Sequence, residues 1–301
     1  MRTILHLSDL HAGPPFDAEK GELIVQEAAE IKPDLVVISG DLVQRAEFRK
    51  QWLLVRSLIE RLPTPRLIVP GNHDVPQYNQ LGRYMWPFRA YRRYINRDLQ
   101  PIYSTPDLVV IGLNTARSFT IEGGKLSNRK IAHLERALQS HGEGVCKIVV
   151  MHHHLVQAPG PLKERKPVIV GAEHTLEVLD RGGAELVLCG HIHTSYVGNT
   201  LEFNPDLQRG TIIAQSGTTT SRRGRLWQRG KNSFNVIEID DQVIRISQRM
   251  YLSDIRRFAP VGEHVFPRRS AGAYYLPRPE RVVTPTTPQA LPPGTLPMEQ
   301  P

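Results

Sequence analysis

Five short apolar runs in this chain each break off at residues that carry a carboxylate, an imidazole or an amide, and this recurrence limits the folds open to it. Residues 3–7 lead into Ser8-Asp9-Leu10-His11, residues 35–38 into Ser39-Gly40-Asp41, and residues 67–69 through Pro70 into Gly71-Asn72-His73-Asp74. Residues 147–151 lead into His152-His153-His154, and residues 185–189 into Gly190-His191-Ile192-His193. Runs of this length, closed by Gly, Pro, Asn and Asp, read as strands that end in loops. In open α/β sheets, ligands bind outside the carboxyl ends of such strands.

The spacing between the runs is helical. Leu23, Ile24, Ala28 and Ile31 share one side of residues 17–32, which stop at Pro33. Phe48, Trp52, Val55, Ile59 and Leu62 step by four and three before Pro63 and Pro65. Alternation of strand and helix predicts parallel pairing. Residues 75–100 break the rhythm, with Tyr84, Trp86, Tyr91 and Tyr94 set among Arg83, Arg89, Arg92, Arg93 and Arg97. They are either a helical insert over the strand ends or an amphipathic helix with a solvated basic face, and charge runs on helices favour the second.

After a strand over 109–113 and Asn114, Ser127 is placed to cap a helix holding Ile131, Leu134 and Leu138. Pro159, Gly160, Pro161, Pro167 and Gly171 predict a long surface loop before a helix around Leu176 and Leu179. Strands are expected over 195–197, 211–214, 233–239 and 243–247, the last two forming a hairpin about Asp240-Asp241. Arg222, Arg223, Arg225, Arg229 and Lys231 make a basic loop, open to an anionic substrate or simply solvated. From about Phe266 prolines accumulate, and such a tail is expected to be extended or disordered.

At 301 residues the chain can bury a full core, and a net charge of +8 favours encounter with anions. The start of the chain lacks the long apolar core of a signal peptide, and no stretch approaches the roughly 18 apolar residues of a membrane span. Cys146 and Cys189 are the only cysteines, too few for a disulfide framework. A cytoplasmic protein is expected.

Together the strand-end groups are Asp9, His11, Asp41, Asn72, His152, His191 and His193. Carboxylate, imidazole and amide oxygen without thiolate point to a manganese, iron, zinc, cobalt or nickel centre rather than to a Cys-rich structural zinc. Seven donors exceed the needs of one ion, whereas two ions sharing a bridging carboxylate would use them all.

The order Asp-x-His, Gly-Asp, Gly-Asn-His-Asp, strand-end His and Gly-His-x-His resembles the calcineurin-like metallophosphoesterases, in particular the bacterial branch that includes cyclic-AMP phosphodiesterases. The likeness spans roughly residues 3–250, and Gly124-Lys125-Leu126-Ser127 before a helix also resembles that branch. It implies an α/β fold, a four-layer α/β/β/α sandwich, with a phosphoesterase domain over 1–250 and a C-terminal extension over 251–301. It implies Asp9, His11 and His193 on one metal, Asn72, His152 and His191 on a second, and Asp41 between them. His152, the first His after its strand, corresponds best to the ligand. Relatives often carry Pro soon after this point where Leu155-Val156 stand here, so His153 stays open as the alternative.

His73 resembles the family's catalytic histidine, with Asp74 expected to accept its ring N–H and fix its tautomer. The implied reaction is in-line attack on a phosphodiester by a hydroxide shared by two metals. Its partner would be a small phosphodiester, with cyclic nucleotides the leading class. Rivals are a nuclease of the same superfamily acting on DNA or RNA, a protein serine/threonine phosphatase, disfavoured because the blocks after Asp9 and Asp41 lack the Gly-rich and Asp-Arg-Gly extensions of that branch, and, from another class, a non-catalytic scaffold that kept the fold. His6, His133, His141, His174 and His264 match no block and are read as structural or exposed; His154 is read as support for its neighbours.

Overall fold

The alternate side chains of β1 (Arg2–Leu7) face two different cores. The computed structural model, which describes residues 1–157 and 168–268, resolves both. Leu5 and Leu7 join Val36, Ile38 and Ile68 on one face, against Ile24, Ala28, Trp52 and Val55 of α1 (Ala18–Ile31) and α2 (Arg49–Glu60). Ile4 joins Leu35, Val37 and Leu67 on the other. The uninterrupted apolar runs are therefore strands covered on both sides. β1 pairs in parallel with β2 (Leu35–Ile38), and β2 with β3 (Arg66–Ile68). On its other side β1 pairs antiparallel with β10 (Ser233–Ile239), which is followed outward by β11 (Val243–Leu252) and β12 (Arg257–Pro267).

A second six-stranded sheet has the order β4-β5-β6-β7-β9-β8: β4 (Ile102–Ser104), β5 (Leu108–Leu113), β6 (Cys146–Met151), β7 (Leu186–Cys189), β9 (Ile212–Gln215) and β8 (Tyr196–Asn199). Val109, Ile111 and Val149 on its outer face meet Leu134 and Leu138 of α5 (Asn128–Gln139) and Leu176 and Leu179 of α6 (Ala172–Gly182). Its inner face sets Val110, Ile148, Val150 and Leu188 against Ile4, Leu35 and Val37 of the first sheet. The result is the expected four-layer α/β/β/α sandwich. His6 is one of its buried residues; its ring meets Ser39 and Asn235 at 3.0 and 3.2 Å, and burial lowers its pKa to about 3. Among the described residues no helix is long and apolar enough to cross a membrane.

Residues 75–100 form two short helices, α3 (Gln80–Met85) and α4 (Arg89–Tyr94). Arg89, Arg92, Arg93 and Arg97 are exposed, as a solvated basic face requires, but Arg83 is buried. Two strands were not legible in the sequence. β4 has three residues, and β12, mostly exposed apart from the buried Phe258, is held chiefly by its ten-residue register with β11. The boundary expected at residue 250 falls within β11, and Phe266 and Pro267 complete β12. The loop expected around 159–167 and the tail beyond 268 lie outside the described residues.

Arg268, just past β12, fastens the two sheets together. Its guanidinium reaches both carboxylate oxygens of Glu185 at 3.2 and 3.0 Å, with the side chains only 4% and 5% exposed, and also the carbonyl of Asp240. Removing one partner of a buried pair strands the other charge. Arg268→Ala is expected to lower the unfolding free energy by about 3 kcal/mol, measured by urea denaturation.

Candidate metal centre

The loops that leave β1, β2, β3, β6 and β7 meet at one edge of the sandwich and are tied to each other through the backbone. Asp9 N–H donates to Gly40 O, His11 N–H to Asp41 O and Gly190 N–H to His152 O, each at 3.0 Å. Asp9, His11, Asp41, His191 and His193 all have positive φ, five of the eight such non-glycine residues among the described residues. Left-handed backbone is costly for these side chains and persists where the surroundings fix it, which marks the edge as functional. Gly71 lets two loops touch, since a Cβ there would overlap the Asp41 carboxylate.

Each buried carboxylate divides its two oxygens. Asp9 Oδ2 accepts from Ser8 Oγ at 2.6 Å and His191 N–H at 3.0 Å. Its Oδ1 makes no hydrogen bond among the described residues, and lies 3.1 Å from His193 Nε2 and 3.6 Å from His11 Nε2. Asp41 Oδ1 accepts the His73 N–H at 2.8 Å, while Oδ2 lies 3.7 Å from His11 Nε2 and 3.3 Å from His152 Nε2. Burial opposes the charge on both, but the surrounding imidazoles outweigh it and hold Asp9 and Asp41 well below the usual carboxylate range.

The imidazoles are oriented by their other nitrogens. His152 Nδ1 donates to Ser39 O at 2.7 Å and His193 Nδ1 to Arg223 O at 3.0 Å, which turns each Nε2 into the site, where it can take up a metal in place of a proton. Two groups of donors result. In one, the ligand atoms of Asp9, His11, Asp41 and His193 lie within 4.8 Å of one another. In the other, Asn72 Oδ1 stands 3.1 Å from both His152 Nε2 and His191 Nδ1. Carboxylate, amide and imidazole acceptors gathered this closely call for a cation, a proton or a metal ion, between them. Burial disfavours charge on His152, yet Asp41 raises its pKa to about 9, a sign of the negative potential there. The residues therefore fit metal ions, and the donor set suits a first-row metal.

His153 also comes close, but Thr115 Oγ1 lies 2.8 Å from its Nδ1 and Glu122 O lies 3.1 Å from its Nε2. With both ring nitrogens taken, it packs against His152 with ring centroids 4.9 Å apart. His154 stacks on His191 at 5.7 Å.

His73 stands beside the first group, its ring centroid 4.8 Å from that of His11. The bond expected between His73 and Asp74 is not made. His73 Nδ1 instead meets Gln44 O at 2.9 Å, and Asp74 is turned beneath the loops, where it accepts Leu42 N–H at 2.9 Å, Val43 N–H at 3.2 Å and Gly71 N–H at 2.8 Å. Asp74 is thus a clamp between the loops after β2 and β3. Burial and the charge of Asp41 push it up, to about 8, against the pull of those backbone donors.

Sequence reasoning missed three contributors. Arg45 NH1 and Arg223 NH1 approach His73 Nδ1 and Nε2, each at 3.3 Å. Burial chiefly, helped by these guanidiniums and opposed by Asp41, holds His73 below its ordinary value. The sequence places Arg223 in a basic loop open to an anionic substrate or simply solvated, without marking it as a neighbour of His73. Beneath Asp9, the buried hydroxyls of Thr218 and Thr220 donate to the carbonyls of Asp9 and Leu10, and that of Thr219 accepts Ser8 N–H. The available signal was the run of hydroxyl residues at 218–221.

The sequence profile of the calcineurin-like phosphoesterases matches residues 2–195. The chain belongs to this family. With its His and Asp clusters, this phosphoesterase is a metal-dependent hydrolase. It is 27% identical over 206 residues, 65% of its own length and 74% of the other, to a protein of a Synechococcus species named as a probable cyclic nucleotide phosphodiesterase. In fold it is similar to a purple acid phosphatase from yellow lupin seeds (TM-score 0.70, 14% identity), covering 91% of this chain and 55% of the lupin chain. It also resembles GAP50, described as the anchor in the inner membrane complex of Plasmodium (TM-score 0.58, 14% identity), covering 89% of both chains.

The ring contacts separate the two neighbouring histidines experimentally. After chelator treatment and titration with manganese, followed by elemental analysis, His152→Asn is expected to lose bound metal, whereas His153→Asn retains it.

Proposed function

We propose that this phosphoesterase hydrolyses phosphodiesters at two first-row metal ions, with cyclic nucleotides as the leading substrate class. Asp9, His11 and His193 would hold one ion, and Asn72, His152 and His191 the other, with Asp41 between them. The observation that carries this reading is the placement of Asp41 Oδ2 within 3.7 Å of His11 Nε2 and 3.3 Å of His152 Nε2, so that one oxygen serves both groups. Such ions supply Lewis acidity and lower the pKa of bound water.

The protein's own groups then handle the phosphate. Arg45 and Arg223 bring two guanidiniums to the ring of His73, where a phosphoryl group beside the centre would meet donors on two sides. With Nδ1–H donated to Gln44 O, His73 presents Nε2 toward Arg223 and the space a substrate oxygen would enter. His73 is the candidate to exchange a proton with the leaving oxygen or stabilise its charge. Asp74 acts indirectly, by holding the loops that carry Asp41 and His73. The name of the Synechococcus relative supports the cyclic-nucleotide class.

Cleavage of nucleic acid is a second reading, favoured by a cavity of about 600 Å3 lined by Arg92, Arg97, Arg129, Lys130 and Arg136. The deciding assay compares bis(p-nitrophenyl) phosphate with p-nitrophenyl phosphate on chelator-stripped protein titrated with manganese, then cyclic AMP against single-stranded DNA. Metal-dependent cleavage that favours the diester, followed by turnover of cyclic AMP, is expected. Turnover of DNA alone selects the nuclease, and no turnover with any first-row metal leaves the scaffold. In the same assay Asp41→Asn is expected to lose metal and nearly all activity. His73→Ala should keep its metal while kcat falls about 10²-fold or more. Full activity in either variant overturns the assignment.

A further inference from the structure

Three aromatic side chains stand out into solvent beside the centre: Tyr78 is 68% exposed, Tyr84 52% and Phe119 75%. The segments that carry them are nonetheless firmly held. Glu47 Oε1 accepts the consecutive backbone N–H groups of Gln77, Tyr78 and Asn79. Arg83, itself buried, donates to the carbonyls of Pro76, Ser118 and Thr120, so one guanidinium joins the Tyr78 and Phe119 segments. The rings of Tyr84 and Phe119 then meet with centroids 5.6 Å apart. Exposed rings on such latched segments are presented surface rather than fraying chain.

Their position says what they are presented to. Arg45 spans the gap: its Nε donates to Tyr78 Oη at 3.3 Å, and its NH1 lies 3.3 Å from His73 Nδ1. On the far side, the Phe119 loop returns to the centre through Glu122 O, which accepts from His153 Nε2 at 3.1 Å. A phosphate held by His73 and Arg45 would thus carry its organic substituent onto Tyr78. A planar ring gains most from a rigid aromatic surface, and every nucleobase has such a face.

We propose that Tyr78, on the segment that Arg83 ties to the loop of the Tyr84–Phe119 pair, is the subsite that receives the nucleobase of a nucleotide diester. This inference rests on the phosphodiesterase reading and names the part of the substrate that it selects.

The test uses two esters with the same leaving group, thymidine 5′-p-nitrophenyl phosphate and methyl p-nitrophenyl phosphate, on the manganese-loaded full chain. The ratio of their kcat/KM values is expected to favour the nucleoside in the native protein. That ratio should fall about tenfold in Tyr78→Ala and stay within about twofold in Tyr78→Phe, which keeps the ring and loses only the hydroxyl bonded to Arg45. An unchanged ratio in Tyr78→Ala overturns the proposal, as does an equal fall in Tyr78→Phe, which would mean that Tyr78 acts only by placing Arg45. A dimer in sedimentation that Tyr78→Ala dissolves without moving the ratio also overturns it, since the rim would then join two copies of the chain. If the native protein cleaves neither ester, the phosphodiesterase reading fails. The rim is then judged by calorimetry with AMP against ribose 5-phosphate: tighter AMP binding that Tyr78→Ala removes supports it, and equal affinities overturn it.

Discussion

Asp41 is the point on which the loops of the centre depend. Its backbone carbonyl accepts His11 N–H, one carboxylate oxygen accepts His73 N–H, and the other faces imidazoles from both sheets. A buried carboxylate is costly unless its lone pairs are used, and here the cost is offset by the His73 N–H on one side and by a site fit for cations on the other. The left-handed backbone at Asp41 is part of the same arrangement, a costly conformation that persists where the surrounding contacts fix it.

The centre also shows how ionisable groups in close contact are kept apart in role. Asp41 draws His152 upward, while His11, equally buried, is lowered to about 3, and His73 is lowered with two guanidiniums close by. Orientation comes from carbonyls: Ser39 for His152, Arg223 for His193 and Gln44 for His73. These acceptors come from the main chain, so their positions are fixed by the fold rather than by side-chain identity.

That explains what could and could not be read from the sequence. The buried inner strands of the two sheets were legible because continuous apolar runs have few other uses, and the donor blocks were legible because they sit at the ends of those runs. β12 was not, because an edge strand with exposed side chains carries no burial pattern. The partner expected for His73 from the family resemblance is also not the one found, because the short turn sends the Asp74 carboxylate toward the N–H groups of Leu42, Val43 and Gly71 instead. Arg83 and Arg223 looked like members of surface charge runs. Only packing reveals that one holds two loops together and the other reaches His73.

The donors are shared between sheets that form separate hydrogen-bonded ladders. Asp9, Asp41 and Asn72 follow β1, β2 and β3, whereas His152 and His191 follow β6 and β7. An ion held by both sets is a cross-link at the open edge of the sandwich. A ligand that binds the folded chain and not the unfolded one raises stability with the logarithm of its concentration. Metal bound there would add to the joint that the apolar interior and the Arg268–Glu185 pair already make between the layers, and the resistance of this protein to unfolding would then rise with the metal in its solution.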